Sequence, residues 1–124
     1  MIVGIGSDII DIRRIRQVLE RQGDRFVRRI LTESEYGVFT ARGSPASYVA
    51  TRFAVKEAAV KALGTGIGKV SFQDVEVSNS EQGAPALVFH GAARQLGEQL
   101  EVSAHHVSIS DERNYAVALV VLER

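Results

Sequence analysis

The residues best suited to chemistry lie in the segment 52–68, RFAVKEAAVKALGTGIG. Glu57 and Lys61 are four apart, so any helix here carries a carboxylate and an ammonium on one face, with Phe53 a turn earlier. On an arbitrary helix such a pair is a surface contact worth roughly 0.2–0.5 kcal/mol. Two neighbouring features argue for more. Ala54, Ala58, Ala59 and Ala62 leave the helix thin enough for another element to approach closely, and the segment runs into Gly64-Thr65-Gly66-Ile67-Gly68. A glycine-rich loop frees backbone N–H groups to meet phosphate. It is not a P-loop, because the Gly-Lys-Ser/Thr ending is absent, and a helix C-terminus repels anions.

Asp8 is the second acid of interest. Inside the apolar run IVGIGSDII it faces a desolvation cost unless it is paired, placed at a strand edge or bound to a metal. Together with Glu57 it supplies two carboxylates from distant parts of the chain. Mg²⁺ takes one or two carboxylates and completes its octahedron with water and substrate phosphate, so this pair suits phosphoryl chemistry. His90, His105 and His106 show no HxH or HExxH spacing for zinc, and no GxSxG nucleophile motif is present.

These side chains need elements to hold them. The β-branched run 2–10 predicts a buried strand. Ile12, Ile15 and Leu19 then recur at helical spacing up to Gly23. Residues 24–31 form a turn or two of helix with Asp24 as a possible cap, and Thr32-Glu33-Ser34-Glu35 fits the capping box of a third helix, which Gly37 weakens. Ser44 can cap, and Pro45 can open, the strongest helix, 45–63, ended by Gly64. Beyond it, 69–80 and 84–91 read as a hairpin about Glu81-Gln82-Gly83. A helix follows through Ala92, Ala93, Leu96 and Leu100, then a second hairpin in which HHVSIS and YAVALVVLE flank the turn DERN. Helices first and hairpins second predict a single α+β domain over 1–124, with helices packed on a small antiparallel sheet.

At 124 residues and 45% hydrophobic content the chain is short for two separate cores. The absence of cysteine excludes disulfides and thiolate metal sites and fits a reducing compartment. The first basic residue, Arg13, follows the N-terminal apolar run, opposite to a secretory signal, and no apolar stretch approaches the ~18 residues of a membrane span. A cytoplasmic protein is expected. Net charge is zero, yet residues 1–62 hold eleven Lys and Arg against seven Asp and Glu, with seven arginines between 11 and 29. That cluster suits an anionic partner.

Three segments together resemble the holo-acyl-carrier-protein synthase family of phosphopantetheinyl transferases: GIGSDIIDIRRI (4–15), RFAVKEAAVKALGTGIG (52–68) and HVSISDERNYAVALVVLE (106–123). The middle one matches the family's Phe-x-x-Lys-Glu-x-x-x-Lys-Ala pattern through Phe53, Lys56, Glu57, Lys61 and Ala62. The resemblance implies a 4′-phosphopantetheinyl transferase-like fold and transfer of 4′-phosphopantetheine from coenzyme A to a serine of apo acyl carrier protein, in support of fatty acid synthesis or another carrier-dependent pathway. It implies Asp8 and Glu57 as Mg²⁺ ligands and Lys61 as the cation on the diphosphate. Glu57 is the expected base, acting directly or through a water on the metal. Gly64, Thr65 and Gly66 with Ser108 and Ser110 are implied to line the nucleotide portion, and Arg14 and Arg25 to contact the carrier protein. A homotrimer with sites between subunits is implied too, with no nucleic-acid or membrane partner. Asp111 stands where many members carry histidine. Either Arg113 or a neighbouring subunit supplies the missing cation, or the 3′-phosphate is held more loosely. Two other readings use the same residues: a Mg²⁺-dependent phosphohydrolase with water as nucleophile, and an oligomeric binding module for an acidic protein.

Overall fold

The computed structural model describes residues 1–124. Strand β1 (Ile2–Asp11) is followed by helices α1 (Ile12–Gln22), α2 (Asp24–Ile30), α3 (Glu33–Ala41) and α4 (Ala46–Ala62). A 3₁₀ turn at Phe72–Asp74 leads into β2 (Val75–Asn79) and β3 (Pro85–Phe89); α5 (Gly91–Gln99), β4 (Ala104–Asp111) and β5 (Tyr115–Glu123) complete the chain. This is the α+β order that the residue pattern predicts. The strands divide, however, between two antiparallel sheets, β1-β5-β4 and β2-β3. The first strand pairs with the last, so the ends of the chain meet and Met1 and Arg124 exchange backbone hydrogen bonds. No helix is long and apolar enough to cross a membrane.

Several helix ends differ in detail from expectation. Asp11 closes β1 and caps α1 by accepting from the Arg13 N–H. Gly23 at φ 58° both ends α1 and precedes α2, which places Asp24 inside the helix, where its carboxylate takes Arg28 and Tyr36 instead of a backbone donor. The Thr32–Glu35 capping box forms as predicted. Pro45 sits at the cap position of α4, not its first turn, and Ser44 spends its backbone at φ 59° on the preceding bend without capping.

Helix α4 organises the interior. Its second half packs with β2, β3 and the inner face of β5 in one buried cluster, which includes Ala54, Ala58, Val60, Val75, Leu87, Ala118 and Val120. Its first half closes a second cluster with α1, α2 and α3 around Ile12, Ile15, Ile30, Phe39 and Val49. Strand β1 lies directly on α4. A Cβ at Gly4 or Gly6 would overlap the carbonyl oxygens of Ala62 and Ala58. Only glycine facing alanine permits this approach, and it sets where Asp8 falls relative to the helix.

A candidate diphosphate and metal site between a strand and a helix

Asp8 lies two residues past the Gly6 contact, on the same side of β1, since side chains of a strand repeat every two residues. Glu57 and Lys61 project from α4 toward it. The Lys61 ammonium donates to Asp8 Oδ1 at 3.2 Å and to the Ser7 carbonyl at 2.9 Å. Asp8 and Glu57 line one cavity of about 400 Å³, whose remaining wall is Ile9, Ile10, Arg14, Ile15, Val18, Phe26 and Phe53. Residues nearly fifty positions apart in sequence therefore line one cavity whose other wall is apolar except for Arg14.

The electrostatics are those of a site short of positive charge. Burial raises the pKa of Glu57, the negative charge of Asp8 raises it further, and Lys61 opposes both. No hydrogen bond within the chain contributes to holding the Glu57 carboxylate. No cluster of three or more His, Cys, Asp or Glu gathers anywhere in the chain, so a cation here finds two carboxylates and draws its other ligands from water and substrate. That donor set, hard and oxygen-only, fits Mg²⁺.

The other expected site residues do not all converge. Arg14 lines the cavity and is exposed, whereas Arg25, on α2, is exposed outside it. Gly64, Thr65 and Gly66 lie at the end of α4, about two turns and roughly 10 Å beyond Glu57. Ser108 and Ser110 are placed elsewhere altogether. Register aligns Asp8 with Ala118 and Ile109 on the inner face of the three-stranded sheet, but aligns Ser7, Leu119 and Ser108, then Ile9, Val117 and Ser110, on the outer face. Within one chain the two serines are on the far edge strand and the opposite face from the acids.

Two groups of residues were missed by sequence reasoning. Lys56, matched only as part of a motif, is fully buried. Its ammonium donates to Glu35 Oε1 at 2.6 Å and to the carbonyls of Ile30 and Phe72. Glu35 also accepts from the N–H groups of Thr32 and Val77. Desolvation pushes the Lys56 pKa down and the facing carboxylate pushes it back up. One buried ion pair thus ties α2, α3, α4, the 3₁₀ turn and β2 together beside Glu57. A signal was present, because Lys56 falls on the stripe Val49, Phe53, Val60 and Leu63 at spacings of three and four.

The second missed group, Arg42, Tyr48, Thr51, Arg52 and Asn79, lines a polar cavity of about 310 Å³ together with Ile109 and Asp111, the one position of this cavity that the sequence had singled out. Arg52 is buried, with its guanidinium over the Tyr48 ring at 4.1 Å and bonded to Thr51 and Asn79. Its Nε is the one buried side-chain nitrogen or oxygen without a partner. The rest of the guanidinium is held by Thr51 and Asn79, so Arg52 brings a fixed positive charge to the cavity wall.

The family model of the 4′-phosphopantetheinyl transferase superfamily matches residues 4–120. The chain belongs to this superfamily. Among its relatives, the transferase is 51% identical over 125 residues to the holo-[acyl-carrier-protein] synthase of Vibrio cholerae, covering 100% of this chain and 99% of that one. Its structure superposes on the holo-[acyl-carrier-protein] synthase of Neisseria meningitidis with a TM-score of 0.93 at 40% identity, over the whole of both chains. A Helicobacter pylori holo-[acyl-carrier-protein] synthase crystallised with coenzyme A matches with a TM-score of 0.85 at 33% identity, covering 96% of this chain and 99% of that one. The transferase therefore has the fold that the three sequence segments implied.

Proposed function

We propose that residues 1–124 form one transferase domain that moves 4′-phosphopantetheine from coenzyme A to a serine of apo acyl carrier protein, releasing adenosine 3′,5′-bisphosphate. The observation that carries this reading is the meeting of Asp8 and Glu57 at one cavity, with Lys61 bonded to Asp8 beside it, in a chain about half identical to holo-[acyl-carrier-protein] synthases along its length. Asp8 and Glu57 would hold Mg²⁺. When bound, the ion supplies charge neutralisation and Lewis acidity at the diphosphate.

The chain's own residues do the rest. Lys61 presents a mobile ammonium to the diphosphate oxygens and favours the charge that collects on the leaving phosphate. Glu57 is the expected base for the serine proton, taking it directly or through a water on the metal. The serine oxygen forms a bond to the phosphorus attached to pantetheine, and the bond from that phosphorus to the bridging oxygen breaks toward the nucleotide. The apolar wall of Ile15, Val18, Phe26 and Phe53 excludes water, which would otherwise compete as nucleophile and give hydrolysis. Incubating apo carrier protein with coenzyme A and Mg²⁺ and weighing the intact carrier tests the reaction. A mass gain equal to one phosphopantetheine is expected; free phosphopantetheine without modified carrier would make the protein a hydrolase instead.

For the nucleotide end, the cavity of Arg42 and Arg52 adds a cationic site beside the glycine loop and the serines that the motifs imply. We place the nucleotide's 3′-phosphate in the cavity of Arg42 and Arg52, which supplies the cations that Asp111 lacks, without recourse to Arg113. Arg42 is exposed, so its loss spares the fold. Arg42→Ala is expected to raise the KM for coenzyme A about tenfold, the scale of one charge-assisted hydrogen bond. A coenzyme A analogue lacking the 3′-phosphate should show no such change, and an equal rise for both would contradict the placement.

Separation of the serines and this cavity from the acids motivates the homotrimer. Ile5 and Ile9 are 63% and 65% exposed, and Val117 and Leu119 about 40%, on the same outer face as Ser108 and Ser110. Covering that face with a second copy would bury the isoleucines; three copies with sites between subunits follow the family resemblance. Sedimentation should give three times the chain mass, and Ile9→Glu should release monomers without transferase activity. A monomeric, active parent would refute the assembly. Arg14, exposed at the cavity wall, is assigned to the carrier protein together with Arg25. Arg14→Glu is expected to weaken carrier affinity by about tenfold at low salt and leave coenzyme A affinity unchanged; unaltered carrier KM would remove Arg14 from that surface. The cysteine-free composition fits the cytoplasm as the working compartment.

A further inference from the structure

The acids of the site already face a cation of the chain's own. Lys61 sits 3.2 Å from Asp8 Oδ1, with its side chain 52% exposed against 18% for Asp8. Resting on the reading of Asp8 and Glu57 as metal ligands, we propose that Lys61 is an exchangeable counter-ion: it neutralises Asp8 in the free enzyme, and the diphosphate of coenzyme A draws it away. Lys61 would thereby couple coenzyme A binding to divalent-cation binding.

Three observations support the exchange. The first is competition for one group, because a divalent cation and an ammonium on the same Asp8 carboxylate repel one another. The second is mobility. Lys61 is rooted one turn beyond Glu57 at the end of α4 and is half exposed, and its only partners are Asp8 and the Ser7 carbonyl, so its four-carbon stem can swing without disturbing the core. The third is the gradient of partners. A half-exposed Lys–Asp pair is weakly held, whereas a diphosphate offers several charged acceptors to the same ammonium. Once Lys61 has turned to the diphosphate, Asp8 is free for the metal, and by reciprocity the metal favours the conformer that binds coenzyme A.

Coupling of this origin is separable from the coupling that any metal shared between protein and diphosphate produces. It disappears when the ammonium is removed, whereas shared ligation remains. The experiment measures coenzyme A affinity by calorimetry, without carrier protein, in chelator and again in saturating Mg²⁺; the ratio of the two Kd values is the coupling factor. In Lys61→Met that ratio is expected to fall about two- to five-fold relative to the parent, the scale set by an exposed ion pair. Mg²⁺ alone should bind the variant tighter by a similar factor. Lys69→Met, at an exposed lysine outside the cavity, should keep the parental ratio and so exclude a general charge effect. A ratio in Lys61→Met equal to or above that of the parent overturns the exchange while leaving the metal site standing. A parental ratio of one overturns both, since the ion would then not share the site with coenzyme A.

Discussion

A Glu57→Gln enzyme is expected to transfer phosphopantetheine about 10²- to 10⁴-fold more slowly than its parent while melting no lower at pH 7. The loss follows from two roles on one carboxylate, charge toward the metal and capture of the serine proton, neither of which an amide can perform. The stability follows from linkage. Burial, then the charge of Asp8, raises the Glu57 pKa in the folded chain above the ordinary glutamate value of 4.5. Between that value and the raised one the folded chain binds more protons than the unfolded chain, so stability declines as pH rises through the window. At neutral pH the ionised Glu57 therefore destabilises the fold, and glutamine removes that penalty. The advantage of the variant should vanish below about pH 4, where the carboxyl is protonated in both states. Thermal melts across pH beside intact-mass assays check both halves. A variant that transfers normally with ordinary Mg²⁺ dependence would sink the assignment, and one that melts lower would mean that Glu57 holds structure instead.

The largest effect on stability is expected at the adjacent position. Lys56→Met leaves the Glu35 carboxylate buried without its cation, together with the Ile30 and Phe72 carbonyls that the ammonium satisfied. Removing one member of a buried pair costs about 3–5 kcal/mol, against a total stability of roughly 5–15 kcal/mol for a domain. At this chain length that is a fall in melting temperature of roughly 10–20 °C. Adding Glu35→Gln to Lys56→Met should recover part of the loss, because the stranded charge is gone while an acceptor remains for the Thr32 or Val77 N–H. A single variant melting within about 2 °C of the parent would show that the pair contributes no more than an exposed one.

Helical spacing and strand alternation made much of the site legible in advance. Glu57 and Lys61 had to share a face of α4, and Ala54, Ala58, Ala59 and Ala62 marked a helix surface thin enough for another element to approach. That this element is β1, seated through Gly4 and Gly6 so that Asp8 falls near Glu57, emerged only in the folded chain. The Thr32–Glu35 capping box was legible as well, since its partners are local. What it hid was the second duty of Glu35. A carboxylate that caps its own helix looks satisfied in sequence, and nothing local shows that its other contacts are Lys56 and the Val77 N–H, twenty-one and forty-two residues on.

The serines show the same division in β-structure. Alternation along HHVSISD determines that Ser108 and Ser110 share a face with each other and not with Ile109, because side chains repeat every two residues. It does not determine which face a helix covers. That depends on the register of β5 between β1 and β4, which sets Ile109 inward beside Ala118 and the serines outward beside Val117 and Leu119.

Glu57 and Lys61 stand out in the sequence by their spacing, and Asp8 by its charge within an apolar run. Local periodicity alone specified the elements that bear them and the side of each that they occupy. Tertiary structure decided the distances, the burial that raises the Glu57 pKa, the contact of Lys61 with Asp8, and the gathering of Arg42, Arg52 and Asn79 from separate elements into a second cavity. The physical reason is range. Helix faces, strand alternation and caps are set within a few residues, whereas desolvation, ion pairing and cavity shape arise only when the chain closes over itself.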